Sequence, residues 1–452
     1  MNLNRTAPSA LEDKILQFGE GGFLRGFVDW MVDRMNKQLH MNYGVVIVQP
    51  LEQGMTPKLD QQDGLYTLLL RGIENGETRE ETTLVECINR TVNPYTAWED
   101  YLALAHNPAT QFIVSNTTEA GIEFREEAMS AAPNLTYPGK LTLLLKERYD
   151  TGLDGFILIP CELIDKNGAM LKKCVLQYAA LWNLGGDFIR WIEEKNTFLS
   201  TLVDRIVTGY PREEAAQIEE KLGYHDEMLD TAELFHLWVI EGESNISRLL
   251  PFDQAGLNVV WTHDVTPYKM RKVRILNGAH TMMVLAAHLA GLETVRDAME
   301  DKLFYTFLQK GIFEEIIPTL PLAKEELESF ANAVLERFAN PFIKHYLLSI
   351  ALNSVSKFKV RVLPSLLEYQ KEFDKLPPAL TFSLAALIVF YRTDAANDVP
   401  ETVSFMKDAS VADILAREDY WGKDLSFLCS AIEEHVDAIE QKGVRQAMET
   451  IL

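Results

Sequence analysis

Between Lys14 and about Leu163 the chain alternates short β-prone runs with stretches whose apolar residues recur at helical spacing. That alternation restricts this part to a parallel sheet covered on both faces by helices. Strands are expected at residues 14–18, 44–48, 83–88, 111–116 and 155–160, with helices at 23–37, 95–106 and 139–149 between them. From about Ala255 the pattern changes, and 281–290, 303–311, 325–337, 343–354, 380–391 and 411–416 all read as helices. The expectation is therefore an α/β fold class, with a parallel-sheet domain over 1–254 followed by an all-α domain over 255–452. A chain of 452 residues exceeds what one hydrophobic core usually serves, which fits two units.

The first expected strand runs directly into Gly19-Glu20-Gly21-Gly22-Phe23, at the start of a helix. Glycines there let the chain turn tightly and bring backbone N–H groups close to a pyrophosphate, whose charge is favoured at a helix N-terminus. A glycine turn alone is often only a turn; its place after the first strand of an alternating pattern favours a dinucleotide. The second strand ends Val48-Gln49-Pro50, with Glu52 just beyond, so the acid that usually holds the adenosine ribose is not plainly present. Arg25 and Arg71 could assist a phosphate, or could be ordinary surface arginines. Ser115, Asn116, Thr117 and Glu119 follow the fourth expected strand, at the end of the sheet where ligands bind, although a cap and turn before the next helix explains the threonines equally well.

The most informative segment is Asp264-Val-Thr266-Pro267-Tyr-Lys-Met-Arg271-Lys272-Val-Arg274-Ile-Leu-Asn277-Gly278-Ala-His280. At about 100° per residue, Lys272, Asn277 and His280 fall within roughly a 140° sector of one helix. Oxidising an alcohol to a carbonyl requires a base for the hydroxyl proton, and a lysine can serve when burial lowers its pKa. A carboxamide and an imidazole can hydrogen-bond the developing alkoxide. Singly, each has a structural explanation: Lys272 lies in a basic run, Asn277-Gly278 could break a helix, and His280 could be a packed ring.

Composition excludes other classes. With 43 basic and 66 acidic residues the net charge is −23, which argues against nucleic acid and anionic membrane surfaces as partners. Any anion must then be held by a local cationic pocket. Lys357 and Arg361, four residues apart, would make one on a helix face and could clamp a carboxylate. Cys87, Cys161, Cys174 and Cys429 show no C-x-x-C spacing, and there is no H-E-x-x-H, so a metal site is not expected. No apolar run approaches a membrane span and the first residues lack a signal-peptide core; a cytoplasmic location is the expectation. Neither composition nor motif specifies an oligomeric state.

The sets Gly19-x-Gly21-x-Phe23-x-Arg25 and Lys272-x4-Asn277-x2-His280 resemble the signatures of the mannitol dehydrogenase family, the polyol-specific long-chain dehydrogenases. Segments 115–122, 198–207 and 337–363 extend the resemblance over essentially the whole chain, and it is strongest to members acting on sugar acids. It implies a Rossmann-type N-terminal domain binding NAD through Gly19, Gly21, Gly22, Phe23, Arg25, Ser115, Asn116, Thr117 and Glu119, a helical C-terminal domain, and metal-free catalysis by Lys272, Asn277 and His280. It further implies substrate contacts from Asp204, Lys357, Arg361 and His345, though Asp204 could instead pair with Arg205 and His345 could simply pack. One departure stands out: the family's polyol enzymes carry Cys-Asp-Asn where this chain has Cys161-Glu162-Leu163, so an amide expected to hold sugar hydroxyls is missing. That loss and the Lys357/Arg361 pair point to a small sugar acid as substrate. An isomeric uronate or a hexitol phosphate would use the same cations, and a non-catalytic dinucleotide-binding regulator would need none of the Lys-Asn-His set.

Overall fold

Six parallel strands form the central sheet of the computed structural model, which describes residues 3–452. In chain order they are β1 (Glu12–Phe18), β2 (Tyr43–Val48), β5 (Ile88–Val92), β6 (Phe112–Ser115), β7 (Ile157–Pro160) and β8 (Thr197–Phe198), separated by a hairpin of β3 (Tyr66–Glu74) and β4 (Glu77–Val85). Their spatial order is β5-β2-β1-β6-β7-β8. The chain thus runs outward from β1 to β5, returns, and runs outward again from β6, which makes the β1/β6 junction the point where strand order reverses.

The strands are apolar on both faces because both are covered. Ile15, Val45, Ile47, Phe112, Val114 and Ile159 enter one buried cluster, while Leu16, Phe18, Val46, Val48, Ile113 and Leu158 enter the other. This period-two division is what a sheet buried on both sides requires. Two small sheets flank it: β10 (Asp230–Glu233) with β3 and β4, and β12 (Val259–Thr262) with β11 (Leu237–Glu241) and β9 (Thr201–Asp204).

By contacts the chain divides into two compact units, one running to Val265 without Gly72–Thr78, the other Thr266–Leu452 together with Gly72–Thr78. The second unit's backbone is helical from 266 onward, apart from a single bridge between Thr294 and Tyr346. Its central helix, Pro378–Tyr391, is buried nearly all round. Phe382 packs edge-on against Phe307, and Phe390 against His288. The first turn of that helix is capped by Glu315, whose two oxygens accept the N–H groups of Ala379 and Leu380, both at 2.9 Å. Burial raises the Glu315 carboxyl to about 7. Among the described residues, no helix is long and apolar enough to cross a membrane.

Several expected elements differ. The single strand expected at 83–88 is the end of β4, a break, and the start of β5. The first six residues of β4, 77–82, are polar and exposed and carry no strand alternation. The helix expected at 343–354 is reduced to Leu347–Ile350, because the backbone around it bonds elsewhere. Val295 N–H donates to His345 O at 3.0 Å and Leu347 N–H to Glu293 O at 2.9 Å.

Candidate active site

In the N-terminal unit the ladder continues past the strand ends: Gly19 N–H reaches Val48 O at 3.2 Å and Asn116 N–H reaches Phe18 O at 3.1 Å. The loops after β1, β2 and β6 are thereby laid side by side around a crevice of about 410 Å³. Gly19, Glu20 and Gly21 line it from the first loop, Pro50, Leu51 and Met55 from the second, and Asn116, Thr117, Thr118 and Gly121 from the third, with Tyr95 and Tyr137 alongside. Gly19 has φ +128°, and a Cβ there would lie 3.0 Å from Asn116 O. Only glycine allows the first loop to lie this close to the third.

The turn is held from below. Gln17 Nε2 donates to Gly19 O and to Asp29 Oδ2, both at 3.1 Å, and burial raises the Asp29 carboxyl to about 7. Arg25, expected to contact cofactor, instead supports the cradle: its Nε donates to Glu20 O at 3.1 Å and its Nη1 to Met228 O at 2.5 Å, beside Asp230 at 3.5 Å. The reason is its position in the π-turn Arg25–Asp29, which is buried throughout. Phe23 likewise stacks on Phe27 at 5.1 Å. Gly22 leaves room for Asp230, whose Oδ2 would be 3.2 Å from a Cβ. Arg71, the other arginine considered for a phosphate, forms a two-pronged pair with Glu214 at 3.0 and 2.9 Å. Ser115 is buried under the third loop and Glu119 is exposed; neither lines the crevice.

Glu162 is a residue whose importance the sequence did not reveal. Its carboxylate accepts from Ser115 Oγ at 3.0 Å, Thr117 N–H at 2.9 Å and Thr117 Oγ1 at 3.0 Å, fixing the third loop from the end of β7. Its neighbour Leu163 is 61% exposed. Asp204 ends β9 and is buried, cross-strand from Leu237. Arg205 is occupied with Glu233 O at 2.9 Å, Gly26 O at 3.0 Å and the Trp30 ring.

In the C-terminal unit, residues 266–289 form one continuous helix whose middle, Lys272–Asn277, is a π-turn. In a π-turn the hydrogen bond runs from i to i+5, so Asn277 stands one turn from Lys272 on the same side. His280 follows three residues later on regular helix, again the same side. The π-turn thus aligns the three more closely than the uniform helix expected from spacing. The adjacent cations point elsewhere: Arg271 is tied to Glu326 at 2.6 Å and Arg274 to Glu368 at 2.6 and 3.2 Å. Asn277-Gly278 is no helix break. Gly278 is needed because a Cβ would lie 3.0 Å from Arg361 O, where helix Ser354–Arg361 abuts.

His280 stacks on Phe338 at 3.9 Å and meets His345 edge-on at 5.2 Å. Its Nε2 is buried and has no hydrogen-bond partner. Burial first, then repulsion from the neighbouring His345, Arg337 and Arg361 groups, holds its pKa well below 6.5. Lys357 and Arg361 share a helix face as expected; Lys357 Nζ donates to Ile350 O at 2.7 Å and Arg361 Nη1 approaches Thr281 Oγ1 at 3.5 Å. Burial lowers the pKa of both, and the Arg361 charge lowers that of Lys357 further. Among the described residues, no three histidine, cysteine or carboxylate side chains are grouped so as to hold a metal ion.

Strand order, a glycine turn at the reversal point and a crevice beside it define the N-terminal unit as a Rossmann-type dinucleotide-binding domain. The chain belongs to the mannitol dehydrogenase family: the family's Rossmann-domain model matches residues 13–251 and its C-terminal-domain model residues 264–441. Altronate oxidoreductases of Shigella flexneri and Escherichia coli O6:K15:H31 are each 48% identical to it, over 96% of this chain and 96% of theirs. A crystal structure of D-sorbitol dehydrogenase in substrate-free form has a TM-score of 0.84 at 24% identity, covering 99% of this chain and 100% of that one. Pseudomonas fluorescens mannitol 2-dehydrogenase, in ternary complex with NAD and D-mannitol, has a TM-score of 0.70 at 21% identity, covering 100% and 99%. Those two likenesses concern the fold.

Proposed function

We infer that this chain is an NAD-dependent oxidoreductase that interconverts D-tagaturonate and D-altronate, a ketone and the corresponding secondary alcohol, in hexuronate catabolism. The observation that carries the reading is the buried, unpartnered Nε2 of His280 on the helix face of Lys272 and Asn277, among Arg337, Arg361 and His345. In a chain of net charge −23, the guanidinium charges of Arg337 and Arg361 beside that neutral ring fit an anionic substrate. The 48% identity to altronate oxidoreductases over nearly the full length supports the choice of sugar acid.

The crevice at the reversal point fits NAD, since no atom lies within 4 Å of where a Cβ of Gly21 would stand, which leaves the backbone there open to a pyrophosphate. Bound there, the dinucleotide would supply the hydride acceptor for oxidation of the alcohol and, in its reduced form, the hydride donor for reduction of the ketone. Lys272 takes the hydroxyl proton during oxidation and gives it back to the ketone oxygen during reduction. Asn277 and His280 Nε2–H donate hydrogen bonds to that oxygen as its negative charge grows. Lys357 and Arg361 hold the carboxylate, Arg361 presenting the flat donor fork that matches it. Asp204 is assigned to a substrate hydroxyl and His345 to the wall beside His280. The buried thiols of Cys87, Cys161 and Cys174, all unpaired, suit a reducing cytoplasm.

Oxidation assays with D-altronate, D-mannitol and D-sorbitol test the assignment: NADH formation should be fastest with D-altronate. Activity confined to the neutral polyols would refute it. The neutral imidazole makes a further prediction. Since the His280 pKa lies well below 6.5, lowering the pH through 6.5 should leave His280 neutral and turnover without a fall assignable to it. A fall in kcat centred near 6.5 that disappears in His280→Gln would contradict this.

A further inference from the structure

The end of β2, where an acid usually receives the adenosine ribose, carries Gln49. That side chain is fully engaged with its own loop: Nε2 donates to Leu51 O at 2.8 Å and Glu52 O at 3.0 Å, and Oε1 accepts from Thr56 Oγ1 at 2.5 Å. Glu52 is exposed and outside the crevice lining. Glu20, in the glycine turn, comes to the same place from the other side. It lines the crevice at 7% exposure, and its Oε1 accepts Met55 N–H at 3.2 Å from the loop after β2. Gly54 of that loop closes so tightly over the carboxylate that a Cβ would be 2.3 Å from Oε1. Glu20 Oε2 is buried with no partner.

We propose that Glu20 supplies the acid that β2 lacks: its Oε2 accepts the hydrogen bond of the adenosine 2′-hydroxyl, and its charge excludes the 2′-phosphorylated dinucleotide. The inference rests on the reading of the crevice as the dinucleotide site. A 2′-phosphate would bring further negative charge against a buried carboxylate and would leave Oε2 without a donor. Arg125, which lines the crevice, pairs with Glu123 at 2.8 Å, and Lys140 donates to Pro50 O at 3.0 Å and to Tyr95 Oη at 2.8 Å.

The test is a set of NADH and NADPH dissociation constants for the full-length protein and Glu20→Gln, with Glu52→Gln as control. The glutamine can still accept Met55 N–H, so the loop is kept while the charge is removed. Wild type should prefer NADH by about 100-fold, and Glu20→Gln should shrink that preference by about tenfold or more through weaker NADH and stronger NADPH binding. Glu52→Gln should leave it unchanged. On the wild-type protein, the 2′-deoxyadenosine analogue of NADH should bind about tenfold more weakly than NADH. Equal weakening of both dinucleotides in Glu20→Gln, a collapse of preference in Glu52→Gln, or full affinity for the 2′-deoxy analogue would overturn the role of Glu20 and leave the dinucleotide site standing. Failure of the wild type to bind either dinucleotide would overturn the crevice reading itself, and this inference with it.

Discussion

Lys272→Ala is expected to lower kcat about 10²- to 10⁴-fold in both directions while leaving the NADH dissociation constant within about twofold of wild type. The magnitude is that of a positioned general acid–base group. The separation of effects follows from where the residue lies: Lys272 is in the π-turn of helix 266–289, whereas the crevice is lined by residues of the N-terminal unit. Steady-state kinetics with NADH and tagaturonate, paired with a fluorescence titration of NADH, measures both quantities. Undiminished turnover would remove Lys272 from the proton chemistry.

The second large effect concerns substrate charge. Arg361→Ala should reduce kcat/KM for tagaturonate by about 30- to 1,000-fold, equivalent to about 2–4 kcal/mol, as expected when one partner of a desolvated charge pair is truncated. The same variant should change the much lower kcat/KM for tagatose, the neutral ketose, by no more than about threefold, since no carboxylate loses its partner. Arg361→Lys should recover part of the loss, because an ammonium restores the charge but not the two-pronged geometry. Equal losses on the acid and the neutral sugar would assign Arg361 to support of the helix face, which its carbonyl already touches at Gly278.

The parts of this molecule that were legible in sequence are those where burial dictates residue type. The runs 14–18, 44–48, 111–116 and 155–160 are apolar because the sheet is covered on both faces, and all four coincide with observed strands. The Lys272, Asn277 and His280 face was legible because helical periodicity is close to regular. Its π-turn was not, since apolar periodicity does not distinguish one turn of i to i+5 hydrogen bonds from the regular helix around it. Likewise Arg25 reads as a cation for phosphate, but its hydrogen bond to Met228 O spans 203 residues of sequence, and no local pattern announces it. Glu162 was noticed only as a departure from a family motif; its grip on Ser115 and Thr117 appears when β6 and β7 are paired. Local chemistry is visible in a sequence, whereas the partners that orient it are supplied by tertiary structure.

Whether a proton-transferring lysine and a carboxylate-reading cationic pair act on one sugar acid is tested most directly by the ratio of kcat/KM for D-tagaturonate to that for D-tagatose, measured with NADH on the wild-type enzyme. A preference for the acid of about 100-fold or more is predicted; equal rates, or a preference for the neutral ketose, would contradict it.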